Sequence, residues 1–477
     1  MRTEVIVVGA GPVGLLLAGE LRLGGVDVTV LERRTGPITE SRASTLHART
    51  MELFDQRGLL DRLGTAPNER RGHFGGLPLD LGGTGGPYPG QWKVPQARTE
   101  ELLREWAVSL GAEVLTGREV TDVDDDGDEV TVATRGQAGA EYLRARFVVG
   151  CDGEESTVRH LAGFDMKGTE ARREILRADL NGVDIPARRF QRLPDGLAVA
   201  ARLPSGVTRV MLHEFGRAPA AREGGPDFAE VRAAWARVTG ENLDGAWPVW
   251  VNAFDDTCRQ VTRYRRGRVL LAGDAAHRQL PVGGQALNLG LQDAANLGWK
   301  LAAEVRGWAP NGLLDSYHDE RHAVGVRVLT NIAAQALLLF AGTEVESVRA
   351  VMGELLDLPV VRAHLAGAVS GLDVRYGAAE GHPAVGARLP SDAVRLDGGP
   401  RTVAAALRPG RFVLLDLAGG AGPDPDPRVR LLPASPTSRM LDGLGHVLVR
   451  PDGYVAEAGT GPRPPAASLR RWIAPAR

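Results

Sequence analysis

The hydrophobic pattern of the first 32 residues predicts a strand, a helix and a second strand. Residues 4–8 form a short run rich in β-branched side chains, and residues 11–23 carry apolar side chains at helical spacing. Residues 27–31 form a second apolar run, which ends at Glu32. A buried-type strand, a helix with an Ala/Leu-rich face and another buried-type strand in this order predict one βαβ unit.

Three glycines, Gly9, Gly11 and Gly14, occupy the predicted turn between the first strand and the helix. In a nucleotide-binding turn the first permits the tight turn, the second lets the backbone approach a pyrophosphate, and the third lets the helix pack on the sheet. The helix N-terminus offers unpaired N–H groups to the phosphates. Glu32 is placed to accept hydrogen bonds from both ribose hydroxyls. The alternative is a glycine-rich turn followed by an incidental glutamate.

Two later strands also end at an aspartate. Residues 147–151 form a buried-type strand before Asp152, and residues 268–272 form another before Gly273 and Asp274. An aspartate in this position can instead cap the following helix, which is the structural alternative for Asp152. For Asp274 we expect hydrogen bonds to a ribityl chain or a pyrophosphate.

A glycine-rich turn, residues 283–288, then opens a predicted long helix that continues to Val305. Its backbone N–H groups and the helix dipole would stabilise negative charge on the pyrimidine edge of a reduced flavin. Each motif alone is weak evidence for a cofactor site. Together, their order and spacing predict flavin adenine dinucleotide (FAD) lying extended across one sheet.

The remaining pattern predicts three domains. Residues 165–265 alternate between short strands and turns, which predicts a separate sheet roofing a substrate cavity. From Gly381 the chain is rich in proline and glycine, which predicts a smaller third domain. The predicted boundaries are 1–164 with 266–380 for the FAD-binding domain, 165–265 for the substrate domain and 381–477 for the third. Within the first domain we predict a helix over 99–110 and a solvated acidic hairpin connection over 122–128.

Composition narrows the function. The 57 basic and 59 acidic residues nearly cancel, which disfavours nucleic acid as a partner. The two cysteines, Cys151 and Cys258, form neither a metal-ligand spacing nor a disulfide framework, so we expect no metal and a cytoplasmic location. The apolar opening is interrupted by glycines and followed by Glu20, unlike a signal peptide. No later stretch reaches the roughly 18 apolar residues of a membrane span, so we expect a soluble protein.

Beyond these motifs the chain resembles the class A flavoprotein aromatic hydroxylases, whose type member acts on para-hydroxybenzoate, and within them the bacterial hydroxylases of angucyclinones and anthracyclinones. The resemblance spans nearly the whole chain and includes the segments 41–43, 47–52, 72–77, 94–96, 265–268, 293–300 and 316–321. It implies an α/β fold: a Rossmann-like FAD-binding domain, an inserted mixed-sheet substrate domain and a C-terminal thioredoxin-like domain. That third domain contains no cysteine, which excludes a thiol redox role.

The resemblance also implies a chemistry and a set of site residues. Reduced nicotinamide (NADPH or NADH) would bind transiently and reduce FAD, dioxygen would form a flavin C4a-hydroperoxide, and a phenolic polycyclic substrate would take its terminal oxygen. Arg42 and Gln96 have structural alternatives, a solvated charge and a helix cap. The expected FAD-binding residues are Gly9, Gly11, Val13, Gly14, Glu32, Arg33, Arg42, Gln96, Val120, Thr157, Asp274, Pro281, Gly284, Ala286, Leu287 and Asn288.

One position departs from the family pattern. Ala286 stands where the related turn usually has its fourth glycine. Its methyl group is tolerated only if the turn does not use a positive backbone angle there, and it fills space beside the flavin ring. We therefore hypothesise that the mobility or the reduction rate of the flavin differs from that of relatives.

The catalytic base cannot be chosen from the sequence. His47, His213, Tyr264 and His277 have suitable side chains, although such residues are more often structural. Broad apolar and aromatic faces suit a flat polycyclic substrate, so the expected pocket wall includes Phe74, Trp92, Trp250 and Pro281. Two alternative functions remain: inactivation of an antibiotic of the rifamycin type, and a non-oxygenating FAD oxidoreductase. We expect a monomer or a homodimer.

Overall fold

The computed structural model describes residues 2–36, 44–137, 139–203, 205–222, 224–377, 381–398, 401–420 and 423–475. Arg42, one of the expected FAD-binding residues, lies outside these ranges.

Residues 2–164 contain most of a parallel sheet and the helices that pack on it. The strands are β1 (Val5–Val8), β2 (Val28–Glu32), β3 (Thr45–His47), β4 (Asn68–Glu69), β5 (Arg71–Phe74), β6 (Leu77–Asp80), β7 (Gln91–Lys93), β8 (Glu113–Thr116), β9 (Glu119–Asp125), β10 (Val130–Gly136), β11 (Gly139–Ala145) and β12 (Phe147–Gly150). The helices are α1 (Pro12–Leu23), α2 (Ala48–Asp55), α3 (Leu60–Leu63), α4 (Gln96–Ser109) and α5 (Thr157–Leu161).

The next two stretches contain the second sheet and the long helices. Residues 165–264 contain β13 (Met166–Thr169), β14 (Glu174–Asn181), β15 (Arg188–Leu193), β16 (Gly196–Arg202), β17 (Thr208–Glu214), α6 (Phe228–Thr239), β18 (Trp247–Asp255) and β19 (Cys258–Val261). Residues 265–377 contain β20 (Arg265–Arg266), β21 (Val269–Leu271), β22 (His277–Arg278), α7 (Gln285–Val305), α8 (Ser316–Phe340), α9 (Glu346–Leu356) and α10 (Pro359–Ser370).

The C-terminal region, residues 381–475, forms its own sheet and core. Its elements are β23 (Val394–Leu396), α11 (Val403–Leu407), β24 (Phe412–Asp416), β25 (Val429–Pro436), β26 (His446–Val449), β27 (Val455–Gly459) and α12 (Ala466–Arg470). The strand order is β23-β25-β24-β26-β27, with β24 and β25 parallel and the other pairs antiparallel.

The first sheet has the order β20-β21-β12-β1-β2-β8, and only its β20–β21 pair is antiparallel. Val8 at the end of β1 pairs with Leu31 on β2 and with Gly150 on β12, and Gly150 pairs with Leu271 at the end of β21. Four neighbouring strands therefore end in register at one edge. In open α/β sheets this carboxyl edge is where ligands bind.

The second sheet has the order β15-β16-β17-β14-β18 and is antiparallel throughout, so the expected mixed sheet is wrong. Hairpins join β15, β16 and β17 directly, which makes those pairs antiparallel. One face packs its apolar side chains, including Leu176 and Ala178, against α6. The opposite face carries Arg177, Asn252 and Phe254 toward the first sheet.

Helix α6 interrupts a region for which only strands were predicted. Asp227 caps it by accepting a hydrogen bond from the Glu230 amide at 2.8 Å, and Gly240 ends it in the left-handed conformation. Buried Val231, Ala234 and Trp235 cover the sheet. The Asp-x-x-Glu start and the glycine stop are visible in the sequence and would have located this helix.

The predicted acidic connection over 122–128 starts too early, although its aspartates are exposed as expected. Asp122 to Asp125 belong to β9, the edge strand of the sheet β11-β10-β9, where Asp125 pairs with Val130. Only residues 126–129 connect the strands. An edge strand accepts this composition because charged side chains on an exposed edge suppress pairing with other chains.

Helix α8 is long and apolar enough, by length and composition alone, to cross a membrane, with mean hydropathy 1.6 in its most apolar window. Every 18-residue window of this helix contains Arg327, Thr330 and Asn331, so none of them is a continuous apolar stretch. Half of that window is buried inside the protein, as in the core helices of soluble proteins, so the helix is weak support for a membrane span.

Candidate functional site

The glycine turn after β1 is shaped by two close backbone contacts. Gly9 has φ +101°, and a Cβ atom there would lie 2.5 Å from the carbonyl oxygen of Cys151. A Cβ atom at Gly14 would lie 2.0 Å from the carbonyl oxygen of Gly9. In contrast, nothing lies within 4 Å of a Cβ position at Gly11. Gly9 and Gly14 therefore close the turn, and Gly11 leaves the N-terminus of α1 open, as a bound pyrophosphate requires.

Glu32 connects this turn to the end of β2. Its Oε2 accepts a hydrogen bond from the Ala10 amide at 2.8 Å, and its Oε1 accepts from the amide and Nε of Arg34, both at 2.9 Å. Burial acts to raise the pKa of Glu32, but the hydrogen bonds from Arg34 and Ala10 outweigh it, so the pKa is lowered. The carboxylate is thus ionised and fixed beside the turn. Arg34 was not predicted from the sequence.

Asp152, which follows β12, both caps the next helix and lies on the cavity wall. Asp152 accepts hydrogen bonds from the Ser156 hydroxyl and from the Val158 amide, while Ser156 accepts from the Arg159 amide at 3.0 Å. The capping alternative for Asp152 is therefore observed. Asp152 also lines the large cavity described below.

Buried charged side chains stabilise the turn after β21, which contains Asp274. Asp274 is exposed on a 3-10 turn whose neighbours Gly273 and Ala275 are buried. The Gly273 amide donates to Asp293 Oδ2 at 3.2 Å, and His277 Nε2 lies 2.8 Å from the same oxygen. Asp293 Oδ1 accepts from Arg321 Nε at 2.7 Å. This relay fixes the turn that presents Asp274.

The turn before α7 shows whether Ala286 requires a positive φ angle. Gly283 and Gly284 have φ of +64° and +68°, whereas Ala286 belongs to α7. Among the described non-glycine residues only Phe190 has positive φ. The alanine therefore causes no backbone strain, and the two preceding glycines make the left-handed turn that opens the helix.

Asn288 stabilises this same turn. Its Oδ1 accepts from the His47 amide at 2.8 Å and the Thr50 hydroxyl at 2.7 Å, and its Nδ2 donates to the carbonyls of Thr45 at 3.0 Å and Gly284 at 2.7 Å. An asparagine side chain can make about four hydrogen bonds. All four are used within the protein, so its side chain positions the turn rather than offering a group to the cofactor.

These motifs meet at one cavity of about 660 Å³ between the first two sheets, within the size range of small-molecule sites. Twelve of the sixteen expected FAD-binding residues line it. They are Gly9, Gly11, Val13, Glu32, Arg33, Gln96, Val120, Thr157, Asp274, Pro281, Ala286 and Leu287. Gly14, Gly284 and Asn288 are not in its lining and act on the two turns. Gln96 begins α4 and also donates to Glu100 at 2.9 Å.

The cavity extends beyond the expected cofactor residues to the second sheet. Arg177, Asn252, Phe254, Arg278 and Gln279 line this end. None of them was predicted as a site residue. No local motif marks them, because they meet only when the second sheet folds over the first.

The expected pocket wall is only partly observed. Pro281 lines the cavity, whereas Phe74 and Trp92 do not. Phe74 packs in an apolar cluster with Leu338, and Trp92 packs against the core of the first sheet. Trp250 contributes indirectly, since its ring lies 4.8 Å from the guanidinium carbon of Arg177.

The four candidate bases also lie outside the lining of this cavity. His47 Nε2 donates to the Gly283 carbonyl at 2.8 Å, and burial lowers its pKa to about 4. His213 Nδ1 donates to the Glu174 carbonyl at 2.8 Å, with its pKa lowered by burial. Burial raises the pKa of Tyr264, and His277 contacts Asp293. Their contacts are structural. Among the described residues, no group of three or more His, Cys, Asp or Glu side chains could hold a metal ion.

Comparison with known proteins identifies the family. Residues 2–332 match the family model described as FAD binding domain, and residues 382–476 match the model described as aromatic-ring hydroxylase, C-terminal. A solved structure of CabE, an aromatic hydroxylase from angucycline biosynthesis, is 48% identical, covers 100% of both chains and has a TM-score of 0.95.

Relatives of similar identity differ in activity. A 12-dehydrotetracycline 5-monooxygenase/anhydrotetracycline 6-monooxygenase of Streptomyces rimosus is 41% identical, over 100% of this chain and 99% of the relative. A dialkyldecalin synthase of Streptomyces rugosporus is 41% identical, over 100% of both. A rifampicin monooxygenase of Streptomyces venezuelae is 40% identical, over 98% of both. The matched domains and the cavity that joins the three nucleotide motifs make this chain a member of the FAD-binding aromatic-ring hydroxylases, an FAD-dependent aromatic monooxygenase.

Proposed function

We propose that this enzyme hydroxylates a phenolic polycyclic aromatic polyketide, using FAD, NADPH or NADH, and dioxygen. The observation that carries the proposal is one continuous cavity, which runs from the nucleotide turns to the inner face of the second sheet. A cofactor extended along the first sheet would bring its ring to the Pro281, Ala286 and Leu287 end of these turns, with the remaining space beyond for a second molecule.

The overall reaction consumes one aromatic C–H bond, O2, NAD(P)H and a proton, and yields the phenol C–OH, water and NAD(P)⁺. FAD, when bound, supplies the activation of dioxygen. The chain's own residues bind and orient. Gly11 and the N-terminus of α1 would face the phosphates of bound FAD. Glu32 would accept hydrogen bonds from its ribose hydroxyls, Asp274 would bond to its ribityl chain or pyrophosphate, and the turn from Gly283 would face the ring.

The second sheet covers one end of the cavity and would limit the access of water to it. Phe254 lines this end, and Arg278 links the loop after β12 to the end of β18 by donating to Glu155 at 2.9 Å and to Asp255 at 3.1 Å. Exclusion of water protects reactive intermediates from hydrolysis and strengthens the remaining polar contacts.

The finer assignments belong to the same proposal. The FAD-binding, substrate and C-terminal domains would be 1–164 with 266–380, 165–265 and 381–477, the last thioredoxin-like. The two family models and the separate apolar core of the C-terminal region support the last boundary. We further propose a cytoplasmic monomer or homodimer.

The test is oxygen transfer from ¹⁸O2 to a panel of angucyclinones, anthracyclinones, tetracycline-type polyketides and ansamycins, scored by product mass. We expect a gain of one labelled oxygen on a polycyclic phenol together with NAD(P)H oxidation that depends on that substrate. Labelling of the ansamycin alone would replace this proposal with antibiotic inactivation. Product formation without labelled oxygen or NAD(P)H use would instead indicate a non-oxygenating role, such as the one the relative named dialkyldecalin synthase suggests.

A further inference from the structure

The lining of the cavity contains a single aromatic residue among those that the structure describes. That residue is Phe254 on β18, whose side chain belongs to the face of the second sheet that is turned toward the first. The other apolar residues of the lining include Val13, Pro281 and Leu287. Within the described part of the chain, a flat aromatic substrate in this cavity therefore meets an aromatic ring of the protein only at Phe254.

A packed apolar cluster supports the side chain of Phe254. This residue pairs with Ile175 on β14, and its side chain packs against a cluster whose buried members include Ile175, Leu280 and Val282. Leu280 and Val282 flank Pro281, which lines the cavity. Phe254 and the segment that leads to α7 therefore share one packed cluster, at the end of the cavity where the flavin ring is proposed to lie.

Two polar contacts restrict this end of β18 further. The guanidinium carbon of Arg177 lies 5.5 Å from the ring centre of Phe254. The next residue, Asp255, accepts a hydrogen bond from Arg278 at 3.1 Å, which ties the end of the strand to the segment before Pro281. A side chain that is already held in place loses little conformational freedom when a ligand binds, so a contact with it contributes more to affinity.

Two other phenylalanines pack against the same cluster but are not in the cavity lining. They are Phe190 and Phe215. The ring centre of Phe190 lies 4.3 Å from that of His73, and the guanidinium carbon of Arg192 lies 4.4 Å from the ring centre of Phe215. These contacts are internal to the protein, so Phe215 offers a comparison for Phe254 within one cluster.

We propose that Phe254 is the specificity-determining residue that selects flat, fused-ring substrates. Its ring packs against an aromatic ring of the substrate in an offset-stacked or edge-to-face arrangement, the two that aromatic pairs prefer. A saturated ring in the same position keeps the apolar contact but loses the attraction between the two π systems. This inference rests on the proposed function and names the side chain that carries the preference for a polycyclic aromatic.

The first test compares two probes that differ only in one ring. 1-Hydroxyanthraquinone is flat, whereas its 5,6,7,8-tetrahydro derivative carries the same phenol and quinone with a saturated outer ring. Each probe is titrated into the FAD-loaded protein without NAD(P)H, and binding is measured by calorimetry. We expect the wild-type protein to bind the flat probe about 2- to 12-fold more tightly, which is what an aromatic pair adds beyond the area that it buries.

Variants then assign this preference to one ring. Phe254→Leu should bring the two affinities together, because leucine keeps the apolar contact without a π system, whereas Phe254→Tyr should keep the preference. Phe215→Leu is the matched control, since it removes a ring from the same cluster outside the cavity lining, and it should also keep the preference. The ratio of the two affinities within each variant cancels general effects on the fold, and the melting temperature and FAD content are recorded for every variant.

Three results contradict the assignment. A wild-type protein that binds both probes equally, or binds neither, overturns the proposal. A Phe254→Leu variant with the wild-type preference does the same. Loss of the preference in Phe215→Leu to the same extent as in Phe254→Leu would assign the effect to the packing of the whole cluster, and also overturns the proposal.

The second test measures positioning during turnover of a polycyclic phenol. We expect Phe254→Leu to raise KM and to yield less hydroxylated product per NAD(P)H oxidised, with the remaining reducing equivalents recovered as hydrogen peroxide. Oxygen transfer requires the reacting atoms to be held close together, and a substrate without its aromatic contact is held less firmly. Wild-type values of KM and product yield in Phe254→Leu would remove this residue from the site.

These outcomes are distinct from failure of the proposed function. A wild-type enzyme that oxygenates a polycyclic phenol while its Phe254→Leu variant keeps the preference for the flat probe refutes the role of Phe254 alone. A protein whose preference for the flat probe depends on Phe254, yet which transfers no labelled oxygen to any substrate in the panel, refutes the monooxygenase assignment and leaves the aromatic contact in place.

Discussion

Arg321 donates a hydrogen bond to Asp293 across 2.7 Å, and neither side chain reaches solvent. Asp293 in turn accepts from the amide of Gly273, the residue before Asp274. The pair therefore links α7 and α8 to the turn that carries Asp274 at the cavity wall. Burial acts to raise the pKa of Asp293, but Arg321 and His277 outweigh it and lower that pKa.

We predict that Asp293→Asn destabilises the protein by about 3–5 kcal/mol and reduces its FAD content. The amide would leave the charge of Arg321 buried without a carboxylate partner, and an uncompensated buried charge is strongly destabilising. The measurement is thermal unfolding together with flavin absorbance per chain. Asp373→Asn is the control, because its partner Arg327 is half exposed and the loss should stay within about 1 kcal/mol. Wild-type stability and FAD content in Asp293→Asn would contradict the relay.

Glu32→Gln should weaken FAD binding by about 10- to 100-fold, since charge-assisted hydrogen bonds contribute about 1.5–3 kcal/mol. The carboxylate loses its charge toward Arg34 and the Ala10 amide, and the turn loosens. Titration of the FAD-free protein with FAD, followed by flavin fluorescence, gives the dissociation constant. Glu119→Gln, on the same cavity wall, should change it less than about 3-fold. Equal affinities for wild type and Glu32→Gln would remove Glu32 from the site.

Gly284→Ala should destabilise the protein more than Ala286→Gly, although the two positions lie two residues apart. A Cβ atom at Gly284 would sit at φ +68°, 3.1 Å from Thr45 Cβ and 3.3 Å from His47 Nε2, so we expect a loss of at least about 1 kcal/mol and weaker FAD binding. Ala286→Gly should cost only about 0.5–1 kcal/mol, as in any helix. Stopped-flow reduction by NADPH tests the mobility hypothesis, which an unchanged rate in Ala286→Gly would contradict.

The lowered pKa of Glu320 predicts that the protein loses stability in acid. Burial acts to raise its pKa, but Arg450 and Lys300 outweigh it and hold the pKa at about 2. Because the folded value lies below the unfolded value of about 4.3, the ionised carboxylate stabilises the fold above that pH. The stabilisation, about 3 kcal/mol, is lost as the pH falls from about 4.3 to 2.

Glu320→Gln should therefore be less stable at neutral pH and show a flatter decline in stability through that acid range. Chemical unfolding measured at several pH values gives both quantities. Glu354→Gln on exposed α9 serves as the comparison and should follow the wild-type curve. A Glu320→Gln curve parallel to the wild-type one would show that this carboxyl group does not carry the acid sensitivity.

The parts of the site predicted from sequence are those whose chemistry is local. Gly9, Gly11 and Glu32 belong to one βαβ unit, so their spacing alone determines where they meet. Arg177 and Gln279 are about a hundred positions apart, and no periodicity relates them. Asn288 is an intermediate case: its motif is visible in the sequence, whereas the His47 amide and the Thr50 hydroxyl that bond to its side chain belong to a separate strand and helix.

The C-terminal region is attached to the nucleotide-binding part by buried cations. Arg57 donates to Glu20 at 2.8 Å and to the Pro451 carbonyl at 2.9 Å, and Arg49 donates to the Asp452 carbonyl at 2.6 Å. A C-terminal region taken from a relative would have to supply carbonyl groups at the same two positions. Otherwise the guanidinium groups of Arg49 and Arg57 would be buried without these hydrogen bonds. Exchange of C-terminal regions among these enzymes is therefore limited by the contacts of Arg49 and Arg57.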